Sequence, residues 1–212
     1  AAAAAEAAAA TAAAEEDDLL FYPSDLIPFT RKPMLLIVDS AQSHLFEDVG
    51  RNERGEQAVC LLSPSTQPPD IELPTRVGNL FTCFLASPVV AFCEILNIKR
   101  VENSVLETFT AELEKTLLEW IEALAASPAA DLAWVRLLSD PFMRNFVSSF
   151  LLCQAVIGLH RSYGRIPDYQ PRCCPELPPE LHVTSRVVRS GLLKLAEILG
   201  RRPDFSPAEG AK

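Results

Sequence analysis

Unbroken apolar runs separated by polar, proline-rich punctuation fill the first part of the chain, and helical periodicity takes over afterwards. Residues 19 to 22 form a short apolar run ended by Pro23, which predicts an edge strand. Met34–Val38, Ala58–Leu62 and Leu80–Ala86 are apolar throughout or nearly so, as strands buried on both faces of a sheet are. Each stops at a polar residue followed by a turn or helix signal: Asp39-Ser40, Ser63-Pro64 and Ser87-Pro88. That order is the grammar of β-α units. Between the first two runs, residues 40 to 49 predict a short helix with Leu45, Phe46 and Val49 inward. After Ser87, which can cap a helix, Pro88 suits a first helical position, so residues 88 to 97 predict a helix on the sheet.

From there the pattern is helical. Ser104 and Glu107 read as a capping box, and Val105, Phe109, Leu113, Leu117, Trp120 and Leu124 recur at helical spacing to about residue 126. Residues 132 to 138 predict a short helix with Trp134 inward. Asp140-Pro141 opens a largely buried helix to about residue 160. Residues 161 to 182 carry five prolines and no periodicity, which predicts a loop or strap. Residues 184 to 199 form a last amphipathic helix, with Val187, Leu192, Leu195 and Leu199 inward and Gly200 as its stop. The fold class expected is α/β: a small, mostly parallel sheet of three or four strands followed by and packed with several helices. Residues 1 to 18 are an alanine-rich, acidic linker, residues 19 to 200 one domain, and residues 201 to 212 a tail.

Charge narrows the function classes. The 212 residues carry a formal net charge of −9, and five of the acids (Glu6, Glu15, Glu16, Asp17 and Asp18) lie in the linker. A mildly acidic body is a poor binder of phosphate backbones, which argues against direct contact with nucleic acid. The apolar stretch from 146 to 159 is shorter than the roughly 20 residues of a membrane span. Of six cysteines, Cys60, Cys83, Cys93 and Cys153 sit in apolar runs and no C-x-x-C pair exists, which points to a reducing compartment. The N-terminus lacks the pattern of a secretory signal, and the absence of an initiating Met suggests a piece of a longer protein.

Candidate chemistry is sparse. No Gly-rich phosphate loop, nucleophile elbow or zinc-binding H-E-x-x-H is present. Asp39 and Ser40 stand at the end of a predicted strand, where open α/β sheets place ligand sites. Asp39 could hold a metal or phosphate-bearing group, or simply cap the next segment. Ser63 and Ser87, at the other strand ends, could join Ser40 in lining one ligand cleft, or cap helices. His44, His160 and His182 are far apart in sequence and carry no local nucleophile signature. Cys173-Cys174 lacks further ligands at metal spacing. These residues name no catalytic group, metal site or cofactor. Two readings follow: a protein-interaction module, or a small-ligand or phosphate-binding α/β domain, such as a degenerate enzyme, using Asp39, Ser40, Ser63 and Ser87 at the strand ends.

A resemblance weighs between them. Residues 19 to 40, Leu-Leu-Phe-Tyr-Pro-Ser-Asp-Leu-Ile-Pro-Phe-Thr-Arg-Lys-Pro-Met-Leu-Leu-Ile-Val-Asp-Ser, resemble the signature stretch of the SCAI family (suppressor of cancer cell invasion). Phe81 to Pro88 leading to Ala91-Phe92-Cys93, Leu138 to Arg144, and the closing amphipathic helix are similar to the same family in the same order. The match, from about residue 19 to 199, resembles the C-terminal portion of the family's chain. The resemblance implies a non-enzymatic transcriptional cofactor of corepressor type, in the nucleus with the cytoplasm as a second location. It implies partners among transcription factors or coactivators (in animals, myocardin-related transcription factors acting with serum response factor), and links to Rho-dependent cell migration and DNA double-strand-break repair. It carries over no catalytic residue; the expectation of no cofactor, no direct nucleic-acid contact and no membrane comes from the motifs, the charge and the apolar-stretch length.

Overall fold

The computed structural model describes residues 21–29, 32–51, 58–71, 73 and 78–205. The linker of residues 1 to 18, and Leu19 and Leu20 of the first predicted strand, lie outside the described residues; Phe21 and Tyr22 are not in a strand.

Two of the apolar runs are strands. β1 (Met34–Val38) and β2 (Ala58–Leu62) pair in parallel, with Met34 opposite Ala58 and Val38 opposite Leu62. The third strand, β3 (Arg172–Cys174), comes from the proline-rich strap expected to be loop and runs antiparallel to β2, with Cys60 opposite Cys174. The sheet is therefore mixed, in the order β1-β2-β3. The α/β class holds, but the strand expected at Leu80–Ala86 does not exist: that run is helix α1. Its buried residues Leu80, Phe81, Cys83 and Phe84 share one helical face, while Thr82 between them is exposed. The helix starts because Asn79 accepts a hydrogen bond from the Thr82 N–H at 2.8 Å.

β2 is central and all five of its residues are buried, because both faces are covered. Val59 and Leu61 face a large helical core, whereas Cys60 and Leu62 join Leu26, Phe46, Val49 and Cys174 in a smaller one. Two 3-10 segments, Pro23–Phe29 and Ser43–Arg51, supply that second layer. Ser43–Arg51 stands where a short helix was expected; Phe46 and Val49 point inward as expected, but Leu45 is exposed. β1 is an edge strand and only half-buried, with Ile37 at 38 % exposure, so it is not covered on both faces.

Helices α2 (Pro88–Ile95), α3 (Asn103–Ala126), α4 (Leu132–Leu137), α5 (Pro141–Leu159) and α6 (Arg186–Ile198) complete the fold. Asp131 caps α4 through the Ala133 N–H, and Asp140 caps α5 through the N–H groups of Phe142 and Met143. The capping box expected at Ser104 is absent: Glu102 precedes α3 without a side-chain cap, and Ser104 already lies within the helix. Ser185 caps α6, whose inward residues include Val188, Leu192 and Leu195, while Val187 is 41 % exposed. Gly200, at φ +67°, ends it as expected, in a left-handed conformation that glycine adopts at no steric cost.

α5 is the pillar of the core and packs against α1, α2, α3 and α6. It is long and apolar enough to cross a membrane by length and composition alone, more than the run from 146 to 159 implied. In this fold its residues from Val147 to Ile157 are largely buried among the other helices. The segment expected to begin the tail is also part of the core. Arg202–Phe205 forms a 3-10 turn that buries Phe205 against Phe92 and His160.

Candidate functional site

The ends of β1 and β2 stand side by side, and the residues that follow tie them together. The Ser63 N–H donates to the Val38 carbonyl at 2.9 Å. The Ser40 N–H donates to Ser63 Oγ at 3.0 Å, and Ser63 Oγ lies at 3.0 Å from the Ser40 carbonyl, to which it donates. Ser43, which is buried, donates its hydroxyl to the Ser63 carbonyl at 2.6 Å. The Gln42 N–H donates to Ser40 Oγ at 3.2 Å. These hydroxyls replace the pairing that the strands lose where they diverge.

Asp39 reaches the other way, towards α1. One carboxylate oxygen accepts from Asn79 Nδ2 and the other from the Thr82 hydroxyl. Asn79 therefore stands between Asp39 and the helix it caps, with its amide nitrogen on the carboxylate and its oxygen on the Thr82 N–H. Asp39 neither caps the segment that follows it nor joins an acidic cluster; it clamps α1 to the end of β1. Sequence reasoning missed Asn79 and Thr82. The signal was Gly78-Asn79 ahead of an apolar run, a helix-start pattern.

A cavity of about 340 Å³ opens at this edge. Asp39, Ser40, Thr66 and Asn79 contribute its polar rim, and Phe81 and Ile157 its apolar floor. Two of the four residues expected in one cleft therefore meet there. Ser63 stands behind Ser40 as its brace. Ser87 is not in the cleft: it lies at the far end of α1, where it ends that helix and begins α2 without a side-chain cap bond. Among the described lining residues, Asp39 is the one charged side chain.

Replacing Asp39 with Asn tests the clamp. An amide presents one acceptor where the carboxylate presents two, so one of the two donors from α1 loses its partner. The expected cost is about 1 kcal/mol, one hydrogen bond near the surface. Thermal melts of the two proteins check it, and an unchanged or raised Tm would show that the clamp holds nothing.

The other candidates are dispersed. His44 is exposed, and His182 Nδ1 lies 3.0 Å from the Thr184 hydroxyl. His160 stacks on Tyr163, and burial lowers its pKa, with Asp204 and Asp70 opposing that shift. Cys173, Cys174, Glu176 and His182 line a groove of about 510 Å³ beside β3. No group of three or more His, Cys, Asp or Glu side chains is placed to hold a metal among the described residues.

All six cysteines are free thiols. Burial pushes the thiols of Cys83 and Cys93 up, with Glu94 adding to it, and pushes that of Cys153 well up. The Cys173 residue keeps some exposed surface, yet burial pushes its thiol up to about 12, partly offset by a backbone hydrogen bond from Leu177. Thiolate is the reacting species, so a maleimide at neutral pH should leave the native protein largely unlabelled and label six sites in denaturant. Mass spectrometry of the two samples checks this; rapid native labelling of Cys173 would contradict it.

The described residues thus define an α/β domain whose strand-end polar groups are bound mainly to one another, bordering an open cavity, with no metal-ligand cluster among them. The sequence profile described as "Protein SCAI" matches residues 3–163, and the chain belongs to the SCAI family. Protein SCAI of Mus musculus and of Homo sapiens are each 32% identical to it over 184 residues, which is 87% of this chain and 30% of theirs. The Protein SCAI homolog of Dictyostelium discoideum is 33% identical over 171 residues, 80% of this chain and 22% of that protein. The chain therefore spans less than a third of the length of these relatives. No solved structure matches it.

Proposed function

We propose that this chain is part of a non-enzymatic transcriptional cofactor of corepressor type that works through protein–protein contacts. Its partners are transcription factors or coactivators, of the myocardin-related and serum response factor type in animals. It acts in the nucleus, with the cytoplasm as a second location, and contacts neither nucleic acid nor membrane directly. The observation that carries this reading is membership of the SCAI family. The strand-end geometry supports it, because Asp39 and Ser63 are engaged in holding the fold rather than presented as free groups around a substrate. In a cell line depleted of its own SCAI protein, expression of this chain should reduce a serum-response reporter driven by a myocardin-related factor. The chain should also co-precipitate with that factor. An unchanged reporter together with no co-precipitation would sink the reading.

The 340 Å³ cavity keeps a second reading alive, a small-ligand site at Asp39 and Ser40. Its chemistry changes from what the sequence suggested. With a carboxylate as the charged group of its described lining, the cavity suits a neutral or cationic ligand and repels a phosphate. Calorimetric titration of wild type and Asp39→Asn with Mg²⁺, Ca²⁺ and uncharged nucleosides separates the readings. Saturable binding lost in the variant would favour the ligand site.

A further inference from the structure

Positive charge collects at one place on this acidic chain. Arg161, Arg165 and Arg189 line a hollow of about 180 Å³ together with Gly158, Leu159, His160 and Gly164. No carboxylate is among the described residues of that lining. None of the three arginines is in a salt bridge with another described residue. The acids near His160 are engaged elsewhere: Asp204 lies 3.1 Å from the Arg201 guanidinium, and Asp70 accepts from the Tyr163 hydroxyl at 2.6 Å. Three like charges around one small hollow repel one another, and only the fold keeps them together.

The fold does so with a stiff turn. α5 ends at Leu159, and the chain doubles back through residues 160 to 165. The Gly164 N–H donates to the His160 carbonyl at 2.8 Å, and the Arg161 N–H to the Asp204 carbonyl at 2.8 Å. A Cβ on Gly164 would lie 2.3 Å from the Gly158 carbonyl oxygen, so glycine is what lets the turn lie flat on the helix end. Buried Tyr163, stacked on His160 with ring centroids 4.2 Å apart and tied to Asp70, pins the middle. Arg161 and Arg165 thus leave a rigid base, and half-buried Arg189 meets them from the first turns of α6.

We propose that this hollow is a binding site for a phosphate dianion, free or carried as a monoester. Guanidinium groups present planar pairs of N–H donors that match phosphate oxygens, and a phosphate monoester carries close to two charges at neutral pH. The hollow is smaller than the roughly 300–1,000 Å³ usual for whole small-molecule ligands, so it takes the phosphate group and leaves the rest of the ligand outside. A single compact anion also fits the charge balance better than a polyanion, because the chain as a whole carries a net charge of −9 and an extended polyanion would meet those acids beyond the hollow. The site does not rest on the corepressor reading, and it is separate from the Asp39 cavity.

Calorimetric titration of the full chain at low ionic strength tests it. The ligands are inorganic phosphate, a short phosphoserine peptide, the same peptide unphosphorylated, and a DNA duplex. Saturable binding of inorganic phosphate or the phosphopeptide is expected, with none by the unphosphorylated peptide. Arg165→Gln and Arg189→Gln should each weaken it at least tenfold, and Lys115→Gln on exposed α3 surface should not. Thermal melts show whether each variant is folded. Tighter binding of the phosphopeptide identifies a phosphorylated side chain as the source, and equal binding identifies a free phosphate; both support the site. No saturable binding, binding insensitive to both arginine substitutions, or arginine-dependent binding confined to the duplex would overturn it.

Discussion

Replacing Trp120 with alanine is expected to cost about 3–5 kcal/mol, among the largest losses any single truncation in this core should produce. Trp120 is fully buried on the inner face of α3 and sits against α6. Gly191 is what admits it there: a Cβ on that glycine would lie 2.7 Å from Thr116 Cγ2 and 3.1 Å from Trp120 Nε1. The two helix backbones are thus close, and neither can easily move in to fill the hole. For a chain of this size the loss corresponds to a fall in Tm of roughly 6–20 °C, at about 2–4 °C per kcal/mol. Trp120→Phe should cost distinctly less. It keeps an aromatic ring in the gap and removes an indole N–H that is buried without a hydrogen-bond partner among the described residues. Thermal melts of the two variants check the order; a Phe variant as unstable as the Ala variant would show that ring shape, not volume, holds α3 to α6.

Gly164→Ala should be nearly as damaging despite adding one carbon. The added Cβ would meet the Gly158 carbonyl oxygen at 2.3 Å and the His160 carbonyl oxygen at 3.0 Å, and both are backbone. Backbone cannot swing aside as the end of a side chain can, so the turn must open. Opening it strains the Gly164 to His160 hydrogen bond and the His160–Tyr163 stack. The expected loss lies at or above the upper end of the about 1–3 kcal/mol typical of overpacking. Gly200→Ala is the useful contrast: a Cβ there meets nothing, and only its φ of +67° opposes the change. Its cost should be about 1 kcal/mol, as for other residues made to adopt a left-handed conformation. If Gly164→Ala melts no lower than Gly200→Ala in a thermal scan, the turn is softer than its contacts indicate.

Neither glycine contact was legible in the chain. A close approach between residues 158 and 164, or between 116 and 191, exists only once the turn and the helices are placed. The strand ends illustrate the same boundary. The apolar runs and their polar stops located Asp39, Ser40 and Ser63 at one sheet edge, and the structure brings those three together. Ser87 was drawn into the group because Leu80–Ala86 was read as a strand, and a short run without polar residues on a regular face has no period to tell strand from buried helix.

What the amino-acid sequence determined by itself is what local physics controls. Asp140 caps its helix, Gly200 stops the last one, and α3, α5 and α6 carry long apolar stripes, so these elements were readable with small errors at their ends. The stretches that identify the SCAI family are likewise a property of the chain alone. Tertiary structure decided the rest. β3 has three residues in a proline-rich strap, with no pattern of its own, and becomes a strand because β2 offers it an edge. Met34–Val38 looks as apolar as Ala58–Leu62, yet one is a half-exposed edge and the other the buried centre, because burial depends on which neighbours arrive on each side. Arg161, Arg165 and Arg189 are ordinary surface residues in sequence; they share a hollow only because a glycine turn folds the chain back to meet α6.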